Sequence, residues 1–213
     1  MICELKHKKI ALLLMAAGSS SRLGQPKQLV IVAEKKQPPQ SLLRRQVSMM
    51  NSICLSDNAK AFCVIGFQRE QLIKNLVGFP SAKNLTLINN NNWSQGLSSS
   101  IAKGVSELDK DIDAALIFLV DQWQLTVDNL TSLISDWRKN PDKIHIAGDG
   151  NHLSPPVIFP RSFFKELIVL SGDEGAKKVL KNNNEYVNIK NMPLAFIDLD
   201  TPEQLQELNS KNS

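Results

Sequence analysis

The chain has 213 residues, 42% of them hydrophobic and 22% charged, with a formal net charge of +4. That is enough apolar material for one well-buried core, and it argues against a disordered chain. The mild positive charge suits an anionic ligand. With aromatic residues at 6% and no basic stripe between them, it does not point to nucleic acid.

The first apolar run, Ile10–Ala16, reads as a buried strand. Lys6, Lys8 and Lys9 precede it, so the same stretch also resembles a short secretory leader. Gln37-Pro-Pro-Gln40 reads as a polar turn before a helix over Ser41–Ile53. Then come a strand at Ala61–Gly66, a helix at Arg69–Val77, a strand at Leu85–Ile88, an asparagine loop at Asn89–Asn92 and a helix at Leu97–Leu108. Ala114–Val120, "AALIFLV", is apolar on both faces, as a central parallel strand is. A helix over Val127–Arg138 carries Leu130, Leu133, Ile134 and Trp137 on one face. Short strands follow at Ile144–Ala147 and Val157–Phe159, then helices at Phe163–Leu170, Glu174–Leu180 and Pro202–Leu208, the last with Thr201 as N-cap.

This alternation predicts one α/β domain over residues 1–213. It would be Rossmann-like, with a mostly parallel central sheet flanked by helices. Cys3, Cys54 and Cys63 form no CxxC pair, and His7, His145 and His152 lack metal-ligand spacing. A reducing cytoplasmic setting fits these counts, and no stretch has the length of a membrane span.

Ligands of such sheets bind at the carboxyl ends of the strands. Two ends are chemically rich. Behind the first strand lies "MAAGSSSRLGQPKQL", residues 15 to 29. It matches neither GxxxxGK[ST] nor GxGxxG. It does hold the parts of a phosphate cradle: Gly18 and Gly24, the hydroxyls of Ser19, Ser20 and Ser21, the fork of Arg22 and the point charge of Lys27. The second end is Asp121, just past "AALIFLV".

The opening loop resembles the nucleotidyltransferase signature L-x-A-G-x-S-x-R-x-G-x-x-K, here Leu14, Ala16 or Ala17, Gly18, Ser20, Arg22, Gly24 and Lys27. Five further stretches, in order, resemble one branch, the molybdenum cofactor cytidylyltransferase-like proteins of the MobA-like superfamily. They are "NWSQGLSSSIAKGV", "LVDQ", "PPVIF", "SGDEGAKKVL" and "DLDTPEQL". The resemblance implies a nucleotide-diphospho-sugar transferase type of fold. It also implies transfer of CMP from CTP to a molybdopterin-type acceptor with release of pyrophosphate. A molybdoenzyme apoprotein is then a possible partner, and neither nucleic acid nor membrane is.

By the same likeness Arg22, Lys27 and Asp121 carry the chemistry. Ala16, Ala17, Gly18, Ser20, Arg22, Lys27, Gly66, Asn90, Gly96, Ser98 and Ser99 hold the nucleotide. Mg2+ is held by Asp121 with Asp198 or Asp200, since that ion needs only one or two carboxylates. Met15-Ala-Ala-Gly18, where guanylyl-transferring relatives tend to read L-A-G-G, inclines the base to cytosine.

Two positions depart from the pattern, the first being Ser154 before "PPVIF", where glycine or histidine-bearing variants are common. Trp123 stands where relatives usually carry proline, and it reads either as a stacking wall for base or pterin or as a packing residue. Without the proline that would stiffen the turn aiming Asp121, the metal site also reads as weakened, which supports the first of three rival functions. The protein is a non-catalytic nucleotide- or cofactor-binding accessory of molybdoenzyme maturation, a cytidylyl- or uridylyltransferase acting on a sugar or polyol phosphate, or a secreted protein.

Overall fold

β1 (Ile10–Ala16) is buried along its whole length and lies in the middle of a seven-stranded sheet. The computed structural model describes residues 8–20, 23–34, 37–150, 152–172, 175–201 and 203–204. β1 is paired in parallel on one side with β4 (Ala59–Ile65) and on the other with β6 (Ala114–Leu119). β4 pairs in parallel with the edge strand β5 (Leu85–Asn89). Beyond β6 the direction reverses: β8 (Leu153–Pro160) is antiparallel to β6 and to β7 (Ile144–Gly148). β7 pairs in parallel with β9 (Val187–Asn191) at the far edge, so the order is β5-β4-β1-β6-β8-β7-β9.

Alternation along β1 sorts the core into two layers. Ile10, Leu12, Leu14 and Ala16 face α1 (Leu42–Ser56), α2 (Arg69–Leu76) and α4 (Val127–Lys139), whose Val47, Leu72 and Leu133 lie in the same cluster. Ala11, Leu13, Met15 and Ala17 face α3 (Leu97–Ser106), α5 (Phe164–Ile168) and α6 (Lys177–Asn182), which supply Ile101, Leu167 and Val179. Ser41 caps α1 by accepting from the Arg44 N–H, and Thr126 and Asn129 form a capping box on α4.

Several sequence expectations change. Gln37-Pro-Pro-Gln40 belongs to a strand, β3 (Gln37–Ser41), which forms a two-stranded antiparallel ribbon with β2 (Ile31–Glu34). Prolines are tolerated there because a ribbon edge needs few backbone donors. Val157–Phe159 is only the interior of β8, which takes in Ser154, Pro155 and Pro156. β9 was not anticipated, because "VNIKN" is short and largely polar. The helix expected over Phe163–Leu170 is a 3-10 turn, Arg161–Phe163, followed by the short α5. Glu174 and most of Pro202–Leu208 fall outside the described residues. Among those described, no helix is long and apolar enough to cross a membrane.

Candidate functional site

A cleft of about 440 Å³ opens at the carboxyl ends of β1 and β6. The topology dictates its place: both strands run parallel in mid-sheet, and each is followed by a loop that must leave the sheet at that end. The first loop contributes Ala17, Gly18, Ser19, Ser20, Lys27 and Gln28. The second contributes Leu119, Val120 and Asp121. The start of α3 adds Trp93, Ser94, Gly96, Leu97 and Ser100, and Asp200 arrives from the C-terminal segment.

Lys27 joins three of these parts. Its Nζ lies 2.5 Å from Asp121 Oδ2 and 2.5 Å from Asp200 Oδ1, with the lysine and Asp121 side chains only 14% and 15% exposed. Burial by itself would lower the pKa of this amine. Asp121, and after it Asp200, outweigh that effect and hold it above the ordinary lysine value, so the ammonium is a fixed charge. Asp198 stands beside the pair. Burial first, and then the charges of Asp121 and Asp200, push its carboxyl up to about 6. Asp121 Oδ1 and Asp198 Oδ1 are both buried without a hydrogen-bond partner among the described residues.

Three buried glutamines hold this wall from behind. Gln28, 1% exposed, donates to Ala16 O at 2.8 Å and Gly18 O at 2.9 Å, fixing the turn out of β1. Gln46 on α1 donates to Val120 O and Gln122 O. The Gln122 amide accepts from Leu119 N at 3.0 Å and donates to Pro155 O and, at 2.7 Å, to Ala195 O. It thus ties the β6 tip to β8 and to the segment that carries Asp198 and Asp200. Leu199 N donates to Asp121 O at 3.2 Å, a second link of the same kind. Sequence reasoning assigned no role to these glutamines; a buried glutamine and a surface one look alike in a sequence.

The opposite wall is quiet. Gly96 begins α3 with φ +93°, a conformation that favours glycine, and among the described residues no side chain caps the first N–H groups of the helix, whose Gly96 and Leu97 line the cleft. Trp93 packs directly on Gly66: a Cβ on Gly66 would stand 2.5 Å from Trp93 Cβ. Phe67 meets the same indole edge-on at 5.2 Å.

Of the expected nucleotide holders, Ala17, Gly18, Ser20, Lys27 and Gly96 line the cleft. Ser20 accepts from Lys27 N through its Oγ. Ala16 lies one step behind, presenting its carbonyl to Gln28. Gly66 lies under Trp93, in a neighbouring polar hollow. Asn90 is 3% exposed and spends its amide on Ser99, Ser100 and the Asn92 N–H, so it organises the start of α3. Ser98 is fully buried and donates to Gly175 O, and Ser99 donates to Asn92 O and Gly96 O. The Ser99 hydroxyl serves the helix start, the Ser98 hydroxyl ties α3 to the Gly175 loop, and the serine of that run which reaches the cleft is Ser100. Arg22 lies outside the described residues. Trp123 packs against the core on the α1 side and is not among the cleft-lining residues, as the packing reading had it. The tryptophan of the cleft is Trp93.

The model of the MobA-like NTP transferase domain matches residues 12–187. The chain belongs to that family. It carries a MobA-like NTP transferase domain with a Rossmann-like fold. Purine catabolism protein PucB of Bacillus subtilis is 30% identical over 115 residues, 52% of this chain and 54% of that protein, so the chain spans about half the length of the curated relative it matches. The solved structure of Rv0371c from Mycobacterium tuberculosis superposes with a TM-score of 0.72 at 18% identity, over 96% of this chain and 99% of that one. The same mycobacterial protein, solved as a complex with manganese, gives 0.68 at 17% identity over 94% and 98% of the two chains. Molybdopterin-guanine dinucleotide biosynthesis protein A from Archaeoglobus fulgidus gives 0.61 at 15% identity over 94% and 97%.

Proposed function

We propose that the cleft binds CTP with a divalent cation and transfers CMP to a molybdopterin-type acceptor. One observation carries this reading: Lys27 of the opening loop bridges Asp121 of the β6 tip and Asp200 of the late "DLDTPEQL" stretch. Three motifs separated by 94 and 173 residues in sequence meet at one amine.

The charges support a cation partner. Asp121, Asp198 and Asp200 outnumber Lys27, and a wall of that sign repels a triphosphate. The donor set suits a hard cation such as Mg2+, which takes oxygen ligands and needs only one or two carboxylates. The unpartnered buried oxygens of Asp121 and Asp198 are further acceptors at the same place. Asp121 with Asp200 or Asp198 would hold the cation, which would neutralise charge across the phosphates.

The remaining work falls to the chain's own groups. Backbone N–H groups around Gly18 and Ser20 cradle the phosphates. Lys27 turns its ammonium to the α-phosphate, and Arg22 neutralises the departing pyrophosphate. A phosphate oxygen of the acceptor attacks the α-phosphorus in line. The new P–O bond forms as the bond to the bridging β-phosphate oxygen breaks, and the electron pair leaves with pyrophosphate. Both reactants are anions, so positioning and charge neutralisation supply most of the rate. The base rests against Trp93, Gly96 and Leu97, and Ala17 narrows that end toward a pyrimidine.

A thermal-shift panel of CTP, GTP, UTP and ATP with Mg2+ tests base and pocket together, since a selective ligand raises the melting temperature. CTP is expected to stabilise most. Pyrophosphate release from CTP on adding molybdopterin then tests the acceptor, and sugar or polyol phosphates in its place test the rival transferase reading. Equal shifts from all four nucleotides would remove the cytidylyl assignment.

A further inference from the structure

The same three groups that mark the site also obstruct it. Lys27 Nζ contacts both carboxylates at 2.5 Å, one on the β6 tip and one on the C-terminal segment. An ammonium is a compact point charge, and at that position it takes up the oxygens a cation would use. The lysine is anchored at its own backbone, because Lys27 N donates to Ser20 Oγ at 3.1 Å. Its long stem can therefore turn without moving the loop. Behind it, Gln28 pins the loop to Ala16 and Gly18, and Gln46 and Gln122 pin the Asp121 turn. The Lys27 amine is thus held in the wall by its two carboxylates, and neither its backbone anchor nor the glutamines fix its stem.

We propose that Lys27 is a resident counter-ion, which must leave Asp121 and Asp200 before a divalent cation can bind them, so that cation entry is tied to the arrival of a triphosphate. The triphosphate gives the displaced ammonium a new anionic partner, and the freed carboxylates receive the cation that the nucleotide brings. Neither charge is left uncompensated in a half-buried place, where that is costly. Cation alone meets an occupied pair, and nucleotide alone meets a wall of net negative sign. Binding of the two is cooperative as a result. This inference rests on the reading of Asp121 and Asp200 as cation holders given above.

Mn2+ alone, without nucleotide, is the probe, and free Mn2+ is counted by electron paramagnetic resonance. Lys27→Met keeps the stem and removes the charge. It is expected to bind Mn2+ at least about tenfold more tightly than the unaltered chain. A second measurement needs no variant. Reductive methylation followed by mass spectrometry reads how exposed each lysine amine is. Mn2+ is expected to raise labelling of Lys27 severalfold, with Lys103, paired to Glu107 on the surface of α3, as the unchanged control. Equal Mn2+ affinity in both chains with unchanged Lys27 labelling overturns the counter-ion role and leaves the cation site standing. Absence of saturable Mn2+ binding in both chains, with CTP present as well as without it, overturns the cation site and the counter-ion role together.

Discussion

The two walls of the cleft are built on different principles. On one side Lys27, Asp121 and Asp200 form a charged wall, and each of the two loops that bear Lys27 and Asp121 is stapled from behind by a fully buried glutamine amide. On the other side Trp93, Gly96 and Leu97 form a wall of packing surface at a helix start that no side chain among the described residues caps, placed by the contact of Trp93 with Gly66 and by the Asn90 bonds. Charged groups need fixed partners to hold them at partial burial, so hydrogen bonds do the positioning there. A flat apolar surface needs only shape. The charged wall should therefore govern turnover and the packed wall nucleotide affinity, and this division can be broken by mutation.

The largest effects belong to the charged wall. Asp121→Ala and Lys27→Ala are each expected to lower pyrophosphate release by about 10²–10³-fold, as loss of other preorganised transition-state groups does. Folding, read by circular dichroism, should persist. An effect on KM alone would place these residues in ordinary nucleotide binding and erase the contrast between the walls.

Gln122→Leu comes next. It leaves the Leu119 N–H and the Pro155 and Ala195 carbonyls without this partner in a buried place. At about 1–3 kcal/mol for an unsatisfied group, a loss of roughly 2–4 kcal/mol is expected in urea unfolding, together with slower turnover. A stable but slow variant would show that the staple acts on the site alone; a stable and fully active one would remove its positioning role.

The packed wall should respond in a different coin. Gly66→Ala sets a methyl where Trp93 now lies, and Trp93 must move. About 1–3 kcal/mol of packing strain is expected. The weakening of CTP binding, read as a smaller thermal shift and a raised KM, should exceed any change in kcat.

The smallest effect belongs to neither wall. His145 is 3% exposed, with Nε2 3.1 Å from Asn140 O. Burial lowers its pKa from the ordinary 6.5, with Lys190 adding to this and Asn140 and Asp136 opposing it. The unfolded chain then takes up a proton that the folded chain refuses, so stability is present above about pH 6.5 and declines as pH falls below it. His145→Gln should flatten that decline in melting temperature between pH 7 and 5.5 while leaving CTP selectivity untouched.

The sequence is readable wherever composition and position agree. Ile10–Ala16 and "AALIFLV" are apolar on both faces because both strands lie inside the sheet and are covered on both sides, although β6 is parallel only to β1 and antiparallel to β8, and the loops behind them hold Lys27 and Asp121. The family resemblance offers Asp198 or Asp200 without choosing between them, and the fold brings Asp200 to the cleft lining. The far side of the sheet was read poorly. Prolines at 38, 39, 155 and 156 mark turns in most contexts, yet here they lie in β3 and β8, and β9 is an edge strand with a mostly polar face. Ser98 and Ser99 share their residue type with Ser100, and only the helix phase decides which of them turns to the cleft. Trp93 and Trp123 differ in the same way: tertiary packing alone puts one in the cleft and the other on the core.

A crystal structure with CTP and Mn2+ tests the whole account in one measurement, because manganese is located by its anomalous signal. The account predicts manganese on Asp121, the triphosphate against Gly18 and Ser20, the cytosine beside Trp93, and the Lys27 ammonium moved from Asp200 to phosphate. Nucleotide lodged away from these two loops, or manganese bound with Lys27 still joining Asp121 to Asp200, would contradict it.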